Sequence, residues 1–248
     1  GMSLGPLSIT LLMGVLAFQW RQVYRFWTIP ILLGLVILYF VQAAPTPQRQ
    51  KTTEEDHPDP SSKLLTPGFL IFLISSGIRR FGGRLTTGFL TIWLVEAQGW
   101  TVAQVGLMLS IGSLLGIFGA PLGGEMAYRL GEKRWAVIAL FISYTSFLAA
   151  IVTGGFLPFS IFYICRRLFG TMSMAANSSI TAMLTPPGQR GTGFAFSFVP
   201  GSVAGAVAPM VAAYIADTLG LYPIFLASVA VSFIGLAIFQ FGVKIDHR

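Results

Sequence analysis

Charge is what this sequence has least of. Only 10% of its 248 residues are Asp, Glu, Lys or Arg, whereas soluble domains run near one-quarter. Hydrophobic residues make up 54%, and mean hydropathy is +0.74. A soluble helical bundle would carry charged stripes on its outer faces, and the long apolar stretches here have none. The single cysteine, Cys165, excludes an intrachain disulfide and a thiolate metal cluster. The two histidines, His57 and His247, lie in polar segments, so neither reads as an intramembrane proton relay. HExxH, CxxC, GxSxG and a phosphate loop ending in Gly-Lys-Ser/Thr are all absent. Neither an enzyme nor a metal, a cofactor or an ATP-driven pump is expected. A net charge of +7 would suggest nucleic acid in a soluble chain. In a membrane chain the basic residues must first be sorted by side, and no nucleic-acid partner is expected.

What the chain has is long apolar runs. Two precede residue 44, the second of them at 28–44, and the opening GMSLGPLSITLLMGVLAF lacks the basic start and cleavage pattern of a signal peptide. PTPQRQKTTEEDHPDPSSK follows, too polar to bury a core, and reads as a linker. Six more apolar runs are predicted at 67–95, 101–124, 134–153, 156–184, 191–216 and 221–243, each long enough to cross a bilayer. The expected class is an all-α polytopic membrane bundle with eight spans. Its units are 1–44 (two spans), 45–64 (linker) and 65–248 (six spans).

The distribution of Lys and Arg orients the bundle. With strict alternation, the linker side receives Arg49, Lys51, Lys63, Arg129, Lys133, Arg134, Arg190, Lys244 and Arg248. The other side receives only Arg21 and Arg25. By the positive-inside rule the linker and C-terminus are expected in the cytoplasm of a multi-pass cell-membrane protein.

The segment GGEMAYRLGEKR, Gly123 to Arg134, is a tight turn between two spans: Gly131 suits a left-handed position and the basic residues anchor the interface. It resembles the signature of the major facilitator superfamily, with Gly124, Met126, Ala127, Arg129, Gly131 and Lys133 in frame. The family's acid falls at Tyr128 and its second basic residue at Glu132. Gly1, Gly5 and Pro6 resemble the antiporter-associated motif, without its trailing glycines. Trp20 and Arg21 resemble the pair before the sixth helix, and VEAQGWTVAQVG, Val95 to Gly106, the link after the first helix of a half. The resemblance covers the whole chain and implies helices five to twelve: the last two of one six-helix half, the central linker, then the second half. It implies a secondary transporter moving a small solute by alternating access, with motif roles in gating for Gly124, Arg129, Gly131 and Lys133. It also implies a chain that does not alternate efficiently without the four absent helices, which are its expected partners beside the lipid bilayer. The alternative is a membrane interaction protein, or a remnant, that moves nothing.

Candidate site residues are the arginines placed inside spans, where charge is expensive unless it faces protein or water. Arg80 and Arg84 are four apart and share a helix face, while Arg79 turns about a hundred degrees away toward a helix contact. If Arg166 joins Arg80 and Arg84, an anionic solute is the natural counterion, since guanidinium suits carboxylate or phosphate. Carboxylates from the absent helices would leave solute charge open. Export, including drug export, is the family-level hint. Proton coupling would fall to Glu96 or Asp217, or to a carboxylate outside the chain. Gly112, Gly116 and Gly119, and likewise Gly201, Gly205 and Pro209, are expected to pack helices closely, and Pro209 to permit bending.

Overall fold

A computed structural model describes residues 64–243 and a few helical positions between 25 and 36. The chain divides into a unit of residues 1–57 and a unit of residues 58–248. Most of the opening pair of spans, the motif at Gly1–Pro6, Trp20–Arg21, most of the linker and the C-terminal Lys244 to Arg248 lie outside the described residues. Of the first unit, the described positions Arg25, Thr28, Ile29, Leu32, Leu33, Gly34 and Val36 are helical.

The second unit is built from helices, and no strand occurs among the described residues. They are α1 (Pro67–Leu85), α2 (Phe89–Ile92), α3 (Val102–Leu130), α4 (Glu132–Thr153), α5 (Phe156–Leu184), α6 (Arg190–Leu219) and α7 (Tyr222–Gly242). Each of the six predicted runs becomes a helix or, for the first, a broken one. Thr66 starts α1 by accepting from the Phe69 amide, with Pro67 at the first helical position. Thr101 and Gln104 start α3 with a reciprocal capping box. Gly131, at φ 86°, ends α3 and lets α4 begin at the next residue. Gly154 and Gly155, at φ 60° and 75°, turn α4 into α5 in the same way.

One predicted span is interrupted. The Thr86 and Thr87 hydroxyls donate back to the Gly83 carbonyl, competing with the helix ladder where Gly88 adds no propensity. The chain resumes as α2 and winds into a π-helical turn at Trp93–Ala97.

Helices α3, α4, α6 and α7 are long and apolar enough to cross a membrane by length and composition. The other two long helices, α1 and α5, are the ones that carry mid-helix arginines. Outward faces are apolar: Phe118 is 66% exposed and Met210 is 73% exposed, which suits lipid and not water.

The six long helices pack as two triplets, α1-α3-α4 and α5-α6-α7, related by an approximate exchange. α1 packs on α6 and α7 of the other triplet, and α5 packs on α3 and α4, while α4 meets α7. This is the pattern of an internal repeat.

Buried apolar residues form separate clusters. One gathers Phe69, Phe72, Trp135, Ala176 and Phe239 toward the end where α1 begins. Another gathers Trp93, Trp100, Met108, Phe147, Phe159 and Phe225 toward the opposite end. A third, Leu85, Ala208, Ala212 and Ile224, joins α1, α6 and α7. Phe233 packs against the first two, Arg79 stacks on Phe239 of the first, and Arg166 stacks on Phe147 of the second.

Candidate functional site

The site begins with the position of each arginine on its helix. Arg79, in the middle of α1, is 8% exposed. Its Nε donates to the Ser75 carbonyl at 3.3 Å, and Nη2 donates to Asn177 Oδ1 on α5 at 3.4 Å. Its guanidinium carbon lies 4.8 Å from the centre of the Phe239 ring on α7. It also adjoins the Tyr144 phenol of α4. Asn177 is itself fixed, since its Nδ2 donates to the Ser173 carbonyl at 2.8 Å.

Arg166 enters from α5, half-buried, with its guanidinium 3.6 Å from the Phe147 ring centre and 5.8 Å from that of Tyr163. It too interacts electrostatically with Tyr144. Ser143 donates to the Arg166 carbonyl at 2.9 Å, tying α4 to α5 at that level. The Tyr144 ring stands edge-on to Phe233 at 5.7 Å.

Arg80 and Arg84 take the other side of α1 and are exposed. Arg80 extends over Gly201 of α6, where an added Cβ would come within 2.6 Å of its Nη1. A groove of about 520 Å³ between α1, α6 and α7 is lined by Leu73, Ile74, Phe81, Val199, Val203 and Val231, with no arginine in its wall. The arginines thus divide into an inward pair, Arg79 and Arg166, and an outward pair, Arg80 and Arg84. Arg166 sits on Phe147 and Tyr163, and no contact joins it to Arg80 or Arg84 among the described residues.

The acids are elsewhere. Among the described residues, Asp and Glu are Glu96, Glu125, Glu132 and Asp217, all toward helix ends. No group of three or more His, Cys, Asp or Glu able to hold a metal occurs among the described residues.

The turn between α3 and α4 works as a tie. Arg129 Nε pairs with Glu125 Oε1 at 2.6 Å within α3, in an exposed i,i+4 contact that contributes little. Lys133 Nζ donates to the Gln240 carbonyl near the end of α7 at 2.7 Å. Glu132 Oε1 accepts from Ser179 on α5 at 3.3 Å. Gly124 lies 3.9 Å, measured from an added Cβ, from the Ala175 side chain. The start of α4 is thus fastened to α5 and α7.

Helix seams follow the small residues in part. Gly112, Gly116 and Gly119 face Arg167, Thr171 and Leu168 of α5, and Gly123 lies against the Met172 backbone. On α6 the outcome differs. A Cβ at Gly205 would meet nothing within 4 Å, and Pro209 is exposed. The tight face of α6 is carried by Ala204, Ala208 and Ala212, one position from those glycines. A hundred-degree step per residue accounts for the difference.

Compared with known proteins, residues 72–247 match the family model of the Major Facilitator Superfamily. The chain belongs to the major facilitator superfamily. Two uncharacterized MFS-type transporters from strains of Mycobacterium tuberculosis are each 36% identical to it over 70 residues, which is 27% of this chain and 16% of theirs. A bacterial homologue of the iron transporter ferroportin, solved in an inward-facing state, has a TM-score of 0.61 at 17% identity, covering 73% of this chain and 47% of that one. A bacterial homologue of the human lysosomal transporter Spinster, inward-facing and occupied, gives 0.59 at 16%, covering 89% and 57%. Its unoccupied form gives 0.60 at 14%, covering 96% and 64%. At these identities the solved structures support the fold alone. The superfamily chain described here spans less than two thirds of the length of each. In superfamily terms, α1 to α7 form one six-helix half with its internal repeat.

Proposed function

We propose that this chain is the solute-binding part of a secondary transporter that moves a small anionic solute across a cell membrane by alternating access. Family membership supports transport as against catalysis. The observation that carries the solute class is the outward pair: Arg80 and Arg84 lie on one exposed face of α1, with no acid near them on that helix. A carboxylate or phosphate group would accept from both, and charge-assisted contacts of that kind are the strong ones. The driving force is a gradient of solute or of a coupled ion.

Solute counterflow in vesicles tests the reading, measured on the longest natural polypeptide that contains these residues. Saturable, gradient-driven uptake of an anionic solute is expected. A protein that inserts correctly, binds a membrane partner and moves no solute would favour a membrane interaction protein instead.

The proposed orientation places the linker, the α3–α4 turn and the C-terminus in the cytoplasm, on the distribution of Lys and Arg. With Cys165 replaced, single cysteines at Ser62 and Gly155 should differ in accessibility: an impermeant reagent outside intact cells labels Gly155→Cys and spares Ser62→Cys. Labelling of both, or of Ser62→Cys alone, contradicts the orientation.

A further inference from the structure

The Arg79–Arg80 pair of α1 recurs on α5 as Arg166–Arg167, with Arg80 over Gly201 of α6 and Arg167 over Gly112 of α3. Under the exchange of triplets, the α1–α6 contact is therefore the counterpart of the α5–α3 contact. The two are not equally filled. Along α3, Gly112, Gly116 and Gly119 each meet a side chain of α5, and Gly123 meets its backbone. Along α6, a Cβ at Gly205 would meet nothing within 4 Å, and the groove of about 520 Å³ runs between α1, α6 and α7. Its wall is aliphatic, with Ile74 of α1, Val199 and Val203 of α6 and Val231 of α7. The two helices come close at Gly77 and Pro200, where an added Cβ would lie 3.1 Å from the proline Cβ, and both residues line the groove.

Helical register sets the outward arginines against this groove. Leu73, Gly77, Arg80 and Arg84 follow one another at steps of three or four along α1, as do Gly77, Phe81 and Arg84. Leu73, Gly77 and Phe81 line the groove, so Arg80 flanks it and Arg84 stands one turn beyond Phe81 on the same face. Arg80 reaches α6 at Gly201, next to the lining Pro200. The only acid on α1 or α6 is Asp217, sixteen residues past Gly201 and so about 24 Å along the helix.

We infer that the solute of this site is an amphiphilic anion, an aliphatic carboxylate whose charged end meets Arg80 and Arg84 and whose chain lies in the groove. The inference rests on the anionic reading of the outward pair and adds the apolar half of the solute. A mostly apolar wall with a few polar groups at one side is the ordinary make-up of a small-molecule site, and the volume is within the usual range of about 300–1,000 Å³. Guanidinium groups suit the carboxylate. Each methylene taken from water into an aliphatic wall raises affinity by up to about fourfold. A bare inorganic anion would leave that wall unused.

The test is displacement of radiolabelled octanoate from the purified chain in lipid nanodiscs, with the signal of protein-free nanodiscs subtracted. Hexanoate should displace it at a concentration at least about tenfold lower than acetate, with butyrate between them. Hexanol should require at least about tenfold more than hexanoate. Val203→Trp, which fills the groove from an exposed position on α6, should weaken octanoate binding by about tenfold or more. Ile161→Trp, equally exposed but on α5, should keep it. If Val203→Trp fails to fold, Val199→Trp from the same wall decides. No saturable octanoate binding, full affinity in the folded groove variant, or equal potency of acetate, butyrate and hexanoate would overturn the proposal while leaving the anionic reading standing. That is the result expected if lipid or another part of the protein covers the groove. Equal potency of hexanol and hexanoate would overturn the charged end, and the anionic reading with it.

Discussion

Gly123→Val should destabilise the six-helix half by about 3 kcal/mol, at the upper end of overpacking costs. The reason is the identity of the atoms in the way. A Cβ at Gly123 would overlap the Met172 carbonyl and its Cα, and backbone in the middle of α5 cannot rotate aside as a side chain can. The α3–α5 seam would have to open along Gly112, Gly116 and Gly119, losing dispersion contacts that hold membrane helices together where no hydrophobic force acts between them. For a unit of this size the loss corresponds to roughly 6–12 °C in Tm. Gly205→Ala is the control: it meets open space and should change stability by no more than about 0.5 kcal/mol. Thermal unfolding of both variants in detergent checks the pair. Equal melting temperatures would show that the close seam does not exist.

Arg80→Gln and Arg84→Gln should each weaken binding of an anionic solute by about 10-fold to 100-fold, the loss expected for one charge-assisted hydrogen bond. Neither should disturb folding, because both side chains are exposed and substitution there costs little. Arg79→Gln should behave in the opposite way. Its guanidinium is buried, bridges α1 to Asn177 and stacks on Phe239, so its loss leaves Asn177 Oδ1 without that donor and lowers Tm. Equilibrium binding and thermal unfolding of the three variants separate the roles. Full affinity in Arg80→Gln and Arg84→Gln would remove the outward pair from the solute site.

Much of this fold can be read from the chain, because lipid imposes simple demands. Each helix must be long and apolar, and a turn must lie between successive helices, so Gly131, Gly154 and Gly155 mark boundaries directly. Family membership was legible at the α3–α4 turn even with Tyr128 and Glu132 at the motif's acidic and basic positions. The split of Arg79 from Arg80 and Arg84 follows from helical geometry alone. What could not be read depends on crossing helices. Asn177 is one polar residue in a long helix, and only the crossing of α1 and α5 brings its Oδ1 to Arg79. Whether Arg166 joins Arg80 could not be read, because its position is set by Phe147, nineteen residues away in sequence and on another helix. On α6, glycines mark a small face, yet the neighbouring alanines are the residues that pack. The repeated Arg-Arg pair was a signal present in the sequence that could have linked α1 to α5 without any structure.

The most direct measurement is equilibrium binding of matched small solutes, one anionic, one neutral and one cationic, to the purified chain in detergent, alongside Arg80→Gln and Arg84→Gln. The proposed function requires the anion to bind at least about tenfold more tightly than the other two, and requires each variant to abolish that preference. Equal binding of all three solutes, or a preference for the cation that survives both substitutions, would contradict it.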